Sequence, residues 1–430
     1  FSLPPDVLAL ANLGRAYFGS FRSPRYLDST LTIPESPTGE RLMAPSATDE
    51  IHFHVFLPNA PAPPGGYPVV IAAHGLGDSR FGMPTAMALA NGVGRAVIAI
   101  NTFGHGFGPN SALRLTFAGD RNVEVPAPGR GVDFDGNQRI DAFEGCVVVT
   151  PDRPIGARDC IRQTAIDYLQ LVRILRAGLD LDGDGRVDLN REGIQLAGQS
   201  FGSWVGTLVM ALEPAIETAV LNVAPANGTE TTRLSPSLRT LTTLFLGLRQ
   251  PTLLNRGFDF DDEIPLRNEP VRIVNARGAT PIQEALERFE WIETPGAALI
   301  FAPHLKSATL PGVGTKRILW QMAWGDRTVP NPSTAALIRA ANMTDSFTVY
   351  RHDLARQTAP ELDPNPHAFL VPLGNEDSQL ISLLTLQQLL GYLVTGGAEI
   401  VDPNPLARIR FPRDIFERPA SPPDRLNFSN

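Results

Sequence analysis

Apolar residues in this chain form short continuous runs that alternate with stretches of helical periodicity. The periodicity is clearest over residues 158–177, where one broad face is apolar. The other predicted helices are 84–91, 201–212, 332–341 and 378–394, and the predicted strands are 69–73, 96–100, 194–197, 219–223, 318–323 and 347–350. Alternation of buried strands with helices predicts parallel βαβ units and an α/β fold.

Two features of the pattern fall outside this alternation near the start of the chain. Residues 6–17 predict an opening helix, and residues 51–57 alternate apolar with polar side chains. Strict alternation is typical of a half-buried antiparallel strand.

Two longer segments interrupt the alternation and define the predicted domain organisation. Residues 107–157 are rich in Gly, Pro and Asp, and residues 226–312 mix helical stretches (240–248, 281–289) with apolar loops. We therefore predict one catalytic domain made of residues 1–225 and 313–430. It carries a loop insertion at 107–157 and a cap at 226–312.

Composition narrows the class of protein. The chain has 430 residues, 43% hydrophobic and 19% charged, which is usual for a globular protein. A net charge of −8 makes nucleic acid an unexpected partner. No apolar run reaches the roughly 18 residues that a transmembrane helix needs.

The candidate nucleophile is Ser200, in the sequence Gly198-Gln199-Ser200-Phe201-Gly202. An apolar strand precedes this motif and an amphipathic helix follows it, which is the setting that a nucleophile at a sharp strand-to-helix turn requires. Glycines flank the serine because side chains there would clash in so tight a turn.

A serine hydroxyl needs a base, and the base is expected on a loop after the last predicted strand. His367 meets this condition. His352 lies too close to the preceding strand, and His304 lies in the predicted cap, before the acid.

The base in turn needs a carboxylate to orient it. Asp326 directly follows the strand 318–323 and stands between Ser200 and His367 in the chain. Asp353 and Asp363 are the alternatives.

Backbone N–H groups should stabilise the oxyanion that forms during acyl transfer. We expect one from Phe201, the residue after the nucleophile, and one from Leu76, with Gly75 as second choice. His74 is expected to be structural.

These motifs together resemble the α/β-hydrolase superfamily. His74-Gly75-Leu76-Gly77, Gly104-His105-Gly106, the Ser200 motif, Gly325-Asp326 and His367 stand in that family's order across residues 50–395. The resemblance implies a mostly parallel eight-stranded sheet flanked by helices, hydrolysis without an organic cofactor, and a structural role for His105. The run 158–163 is similar to a helix start in secreted bacterial lipases, with Cys160 where those have Asn.

Two acidic loops match the calcium-binding loop of EF-hands. In the first, Gln138 stands where the pattern has Gly; in the second, Arg191 stands where the pattern has a final acid. Arg139 and Arg186 fall at the position that ligates through its backbone carbonyl. The predicted ligands of a structural calcium are Asp133, Asp135, Asn137, Arg139, Asp141 and Glu144 in the first loop, and Asp180, Asp182, Asp184, Arg186 and Asp188 in the second.

The two cysteines, Cys146 and Cys160, predict a disulfide that closes a short loop. A structural disulfide indicates an oxidising compartment, so we expect a secreted or periplasmic bacterial protein.

The sequence therefore predicts a secreted serine carboxylesterase or lipase that cleaves a hydrophobic ester or polyester through an acyl-enzyme. One alternative is a serine peptidase of the same fold. The other is a non-catalytic, calcium-dependent binding protein built on a hydrolase scaffold.

Overall fold

The computed structural model describes residues 12–34, 43–83, 87–116, 122–134, 136–142, 144–146, 156–250, 252–254 and 279–428. These residues fall into two compact units. The first comprises Phe1–Val148 with Asp159–Gln195, and the second Val149–Arg158 with Leu196–Asn430. Strand β7 (Leu189–Gln199) runs through the boundary between them.

The first unit is built on the strands at one side of the main sheet. Their order is β1, β2, β4, β3 and then β7. Strand β2 is antiparallel to both β1 and β4, whereas β3 and β4 are parallel. The bounds are β1 Leu13–Arg25, β2 Ala47–Pro58, β3 Tyr67–Ala73 and β4 Ala96–Ile100, with a separate hairpin of β5 (Ala112–Thr116) and β6 (Asn122–Pro126).

The predicted opening helix is wrong where the structure describes it. Residues 13–17 belong to β1, which pairs with β2 along nearly its whole length, from Leu13 opposite Pro58 to Arg25 opposite Ala47. A ladder of this length overrides a weak local preference for helix. Residues 6–11 of the predicted helix lie outside the described residues, as do 84–86 of the next one, whose remainder is the 3₁₀ helix Met87–Val93.

The second unit continues the sheet from β7 through β8, β9 and β10 to β11. The first four of these strands are parallel, and β11 is antiparallel to β10. The bounds are β8 Thr218–Asn222, β9 Arg317–Ala323, β10 Phe347–Tyr350 and β11 Phe416–Glu417.

The helices divide between the two units in the same way. Helix α1 (Gly156–Ala177) lies almost wholly in the first unit. The second unit holds α2 Phe201–Leu212, α3 Gly228–Leu234, α4 Arg239–Leu248, α5 Ala279–Glu293, α6 Ala298–Phe301, α7 Asn331–Ala340, α8 His352–Thr358, α9 Glu376–Val394 and α10 Asn404–Ala407.

The predicted fold class is confirmed: the main sheet is mostly parallel and helices flank it. Among the described residues it has nine strands rather than eight, because the two-residue strand β11, in the Pro-rich tail, adds to the edge at β10. The central parts of the parallel strands are buried, as in β8, where all five residues are buried, whereas the first half of β7 is partly exposed.

The segment predicted as a cap contains a small hydrophobic core of its own. Phe245 and Leu246 of α4 pack with Ile282 and Leu286 of α5. Residues 251 and 255–278 of this segment lie outside the described residues.

Cys146 and Cys160 form the predicted disulfide within the first unit. Across the described ranges, no helix combines the length and the apolar character needed to span a membrane.

Candidate active site

Ser200 occupies a strained turn between β7 and α2. Its backbone has φ 54° and ψ −117°, a region that residues with a side chain rarely adopt. The Ser200 N–H donates to the carbonyl of Asn222 on β8 at 2.8 Å, which anchors the turn. A Cβ on Gly198 would lie 2.8 Å from the Gly202 oxygen and 2.9 Å from the Ser203 Cα, so only glycine fits there.

His367 connects this serine to Asp326 through two short hydrogen bonds. The Ser200 Oγ donates to His367 Nε2 at 2.8 Å, and His367 Nδ1 donates to Asp326 Oδ2 at 2.8 Å. The carboxylate can only accept, so it fixes the imidazole tautomer with the proton on Nδ1. The free lone pair of Nε2 then faces the hydroxyl.

The Asp326 carboxylate is 1% exposed and has partners for both oxygens. While Oδ2 accepts from His367, Oδ1 accepts from the backbone N–H groups of Thr328 at 2.8 Å and Val329 at 2.9 Å. These donors hold the charged group in a buried position where it would otherwise be costly.

The alternative bases and acids have other partners. The ring of His352 lies 3.1 Å from the Tyr350 hydroxyl, and His304 Nδ1 donates to the Ala308 carbonyl at 2.6 Å. Asp353 forms an ion pair with Arg351 at 2.6 Å, and Asp363 accepts from the Asn365 N–H at 2.8 Å. The structure thus assembles Ser200, His367 and Asp326, and leaves their rivals in separate interactions.

The two predicted oxyanion donors belong to different units. Phe201 is the first residue of α2, and N–H groups in a first helical turn point towards the N-terminal end of the helix. Leu76 lies in a turn just after β3. Next to it, His74 accepts from the Thr102 N–H at 3.0 Å and donates to the Gly75 carbonyl at 2.9 Å. Burial lowers the pKa of His74 to about 4, which suits a neutral structural imidazole.

Sequence reasoning missed Asn365, which lies between the acid and the base. Its Oδ1 accepts from the backbone N–H of Arg327 at 3.1 Å and of His367 at 3.3 Å. Its Nδ2 donates to the Thr328 hydroxyl at 2.9 Å. The only signal in the sequence is its position two residues before His367, which does not reveal its partners.

The second acidic loop brings three predicted ligands together in the first unit. Oxygen atoms of Asp180, Asp182 and Asp188 all lie within 4.8 Å of one another. Asp180 Oδ2 accepts from the Gly185 N–H at 2.8 Å, and Asp184 Oδ1 accepts from the Arg186 N–H at 2.8 Å.

The first acidic loop repeats this hydrogen-bond pattern. Asp133 Oδ2 accepts from the Gln138 N–H at 2.9 Å, and Asn137 Oδ1 accepts from the Arg139 N–H at 2.8 Å. Gln138 adopts φ 66°, the left-handed conformation for which the loop pattern has glycine. Asp135 lies outside the described residues. The carboxylate of Glu144 accepts from the N–H groups of Phe134 and Asp141.

Solved structures of hydrolases match this chain only weakly. No protein-family model and no curated protein matches the chain. An acetyl xylan esterase from Paenibacillus sp. R4 matches with TM-score 0.42 and 13% identity, over 81% of this chain and 86% of that one. Acetyl xylan esterase 1 from Thermoanaerobacterium sp. JW/SL YS485 matches with TM-score 0.37 and 15% identity, over 79% and 89%. An acylaminoacyl peptidase from Pyrococcus horikoshii gives 0.39 and 12%, over 81% of this chain but only 39% of that one.

These TM-scores lie below 0.5, so no conclusion about fold, activity or substrate rests on them. The chain's own geometry is more specific. A serine on a strained turn between a parallel strand and a helix, followed in the chain by an aspartate and a histidine, is the arrangement seen in the α/β-hydrolase fold, and this chain resembles that fold in the arrangement.

Proposed function

We propose that this protein is a serine hydrolase that cleaves carboxylic esters through an acyl-enzyme. The observation that carries the proposal is the continuous chain from Ser200 Oγ through the His367 ring to Asp326, with 2.8 Å at each hydrogen bond. That arrangement provides a nucleophile, a base and an orienting carboxylate in one hydrogen-bonded chain.

The reaction follows from this geometry. His367 Nε2 takes the proton of Ser200 as the hydroxyl oxygen attacks the ester carbonyl carbon. The N–H group of Phe201, at the start of α2, is the proposed donor to the oxyanion of the tetrahedral intermediate. His367 returns the proton to the leaving alcohol as the ester bond breaks, and water then releases the acid by the same steps in reverse.

A hydrophobic acyl group or polyester is the substrate class that the cap segment favours. Several large apolar side chains in its described part face solvent, with exposed fractions of 46% for Leu244, 49% for Leu248, 79% for Trp291 and 48% for Ile300. Exposed apolar surface of this kind is typical of sites that bind apolar partners.

Ester panels test the proposal. Wild type should hydrolyse p-nitrophenyl esters with a preference among acyl lengths, and Ser200→Ala should lose this activity while keeping its melting temperature. The control is Ser307→Ala, an exposed serine in the same unit, which should match wild type. Faster cleavage of matched p-nitroanilides would favour the peptidase alternative, and no cleavage of either class would favour the non-catalytic binding protein.

We further propose that the two acidic loops bind calcium as a structural ion. The closeness of the Asp180, Asp182 and Asp188 oxygens supports this proposal. Calcium accepts six to eight oxygen ligands, and flexible loops can provide them. In the first loop Asp133 Oδ1 is buried without a hydrogen-bond partner among the described residues, and a cation would satisfy it. The expected ligands include the Arg139 and Arg186 carbonyls, with Asp184, Asp141 and Glu144.

Secretion is part of the same proposal. The disulfide between Cys146 and Cys160 is compatible with an extracellular or periplasmic protein, because structural disulfides persist in oxidising compartments.

A further inference from the structure

The acid and the base of the candidate triad come from separate loops that must be held in register. Asp326 follows β9, whereas His367 lies on the short 3₁₀ turn Pro366–Ala368. A displacement of one loop by about 1 Å can lower a rate by about a hundredfold, so a connection between the loops matters for catalysis.

Asn365 makes that connection with a single side chain. Its Oδ1 accepts from Arg327 N–H in the acid loop at 3.1 Å and from His367 N–H in the base loop at 3.3 Å. Two backbone N–H groups can only donate, so they fix which end of the amide is the oxygen. Each loop is thereby tied within one residue of its catalytic side chain.

The amide nitrogen completes the connection. Nδ2 donates to Thr328 Oγ1 at 2.9 Å and to Ser237 Oγ at 3.4 Å. Thr328 is also one of the two residues whose N–H donates to the Asp326 carboxylate. The amide therefore uses two acceptor and two donor positions, which is the full capacity of an asparagine side chain.

The loop that carries Asp326 is also hydrogen-bonded to the segment predicted as the cap. The Arg327 carbonyl accepts from Ser235 Oγ at 2.8 Å and from Ser237 N–H at 3.2 Å. Ser235 and Ser237 lie between α3 and α4, so the start of that segment is bonded to the acid loop.

We infer that Asn365 is a positioning residue that sets the distance between Asp326 and His367, an inference that rests on the proposed hydrolase function. Its side chain forms hydrogen bonds with Arg327, Thr328 and His367 rather than with Ser200. It therefore acts through the two loops that it joins. Loss of its side chain leaves the three catalytic groups present but removes its hydrogen bonds between their two loops.

The test compares Asn365→Ala and Asn365→Asp with wild type. Asn365→Ala should lower kcat about 10- to 100-fold on p-nitrophenyl butyrate, with KM within about twofold, because the transition state rather than ground-state binding depends on the register. Asn365→Asp keeps the acceptor, so it should recover part of kcat. Its added negative charge near the imidazole should move the acid limb of the pH–kcat/KM profile towards higher pH.

Asn375→Ala is the matched control. Asn375 also accepts backbone N–H from Ser378 at 2.9 Å, but it caps α9 and does not bond to either catalytic loop. Its loss should lower the melting temperature and leave kcat unchanged. Equal kcat losses in Asn365→Ala and Asn375→Ala would mean that both variants lose activity through lower stability alone, and would overturn the inference.

A second readout separates this inference from the proposed function. The rate of covalent labelling by a fluorophosphonate should fall in Asn365→Ala in parallel with kcat.

If wild type hydrolyses esters and Asn365→Ala matches it in kcat and labelling rate, only the inference fails. If Asn365→Ala does not fold, an Asn365→Asp variant with wild-type kcat and an unshifted pH profile overturns it. If wild type neither hydrolyses esters nor is labelled, the proposed function fails and the inference with it.

Discussion

At the scale of single residues, the candidate site depends on backbone strain held in place by its neighbours. Ser200 keeps φ 54° because β8 accepts its N–H and because Gly198 leaves room for the start of α2. Strain of this kind is of order 1–3 kcal/mol and persists only where surrounding structure enforces it. It lifts the hydroxyl out of the strand and towards His367.

The orientation of His367 by Asp326 gives the first prediction. In Asp326→Asn the new amide can donate to His367 Nδ1, which favours the wrong tautomer and places a proton on Nε2. We expect kcat to fall about 10³-fold or more with little change in KM. The control is Asp353→Asn, which breaks an ion pair with Arg351 and should keep activity within about twofold. Near-full activity in Asp326→Asn would mean that the acid is elsewhere.

Glu293 at the end of α5 gives a prediction about pH and stability. Burial raises its pKa to about 7, although N–H groups of Thr229 and Gly228 donate to the carboxylate and oppose the shift. A carboxyl whose pKa is raised on folding favours the folded state at low pH, and this stability is lost as pH rises from about 4.5 to 7.

Glu293→Gln removes this titration. Relative to wild type, the variant should gain about 1–3 kcal/mol of unfolding free energy between pH 5 and pH 8. Thermal or urea melts at both pH values measure the change. The control is Glu284→Gln, an exposed residue on the same helix. A difference from wild type that does not vary with pH would contradict the assignment.

At the scale of elements, the buried parallel strands were predictable and β1 was not. Continuous apolar runs identify β3, β4, β8 and β9 because strands covered on both faces have no polar side. Residues 13–17 belong to a strand only because β2 pairs with them, and a partner more than thirty residues away leaves no local signal.

The candidate site also contains residues that the sequence locates and residues that it does not. Ser200, Asp326 and His367 follow strands or lie in motifs, so chain order locates them. The role of Asn365 depends on partners at positions 237, 327 and 328, which only the folded loops bring together. The conformation of Gln138, at a position where the loop pattern has glycine, could not be predicted from the sequence either.

The disulfide gives a prediction at this scale. It links the end of the first acidic loop to the start of α1, and the two cysteines are 14 positions apart in the sequence. Closing a loop of that size stabilises a protein by about 3 kcal/mol. Replacing both cysteines by alanine should lower the melting temperature, and a reductant should lower it in wild type but not in the variant. Two free thiols in unfolded, unreduced protein would contradict the pairing.

At the scale of the whole molecule, calcium is expected to act on stability rather than on chemistry. Neither acidic loop contains a member of the candidate triad. A chelator should therefore lower the melting temperature while activity at low temperature persists. A ligand that binds only the folded state stabilises it by about 2.7 kcal/mol at a hundredfold excess over Kd. Calcium should restore the loss better than magnesium, which requires stricter geometry.

Variants of the second acidic loop test whether the calcium response of the melting temperature arises there. Asp180→Asn and Asp182→Asn should reduce the response to calcium, whereas Asp345→Asn, at an exposed aspartate outside both loops, should leave it unchanged. A melting curve that a chelator does not alter, together with no calcium by metal analysis, would refute the proposal.

The central claim is that Ser200 is the nucleophile of an ester hydrolase, and stoichiometric labelling with diisopropyl fluorophosphate tests it most directly. Intact-mass measurement and peptide mapping report the number and position of adducts while residual ester hydrolysis is followed. We predict one adduct per chain, on Ser200, with activity lost in proportion to labelling and no adduct in Ser200→Ala. Full activity after labelling, an adduct on another residue, or ester hydrolysis by Ser200→Ala would contradict it.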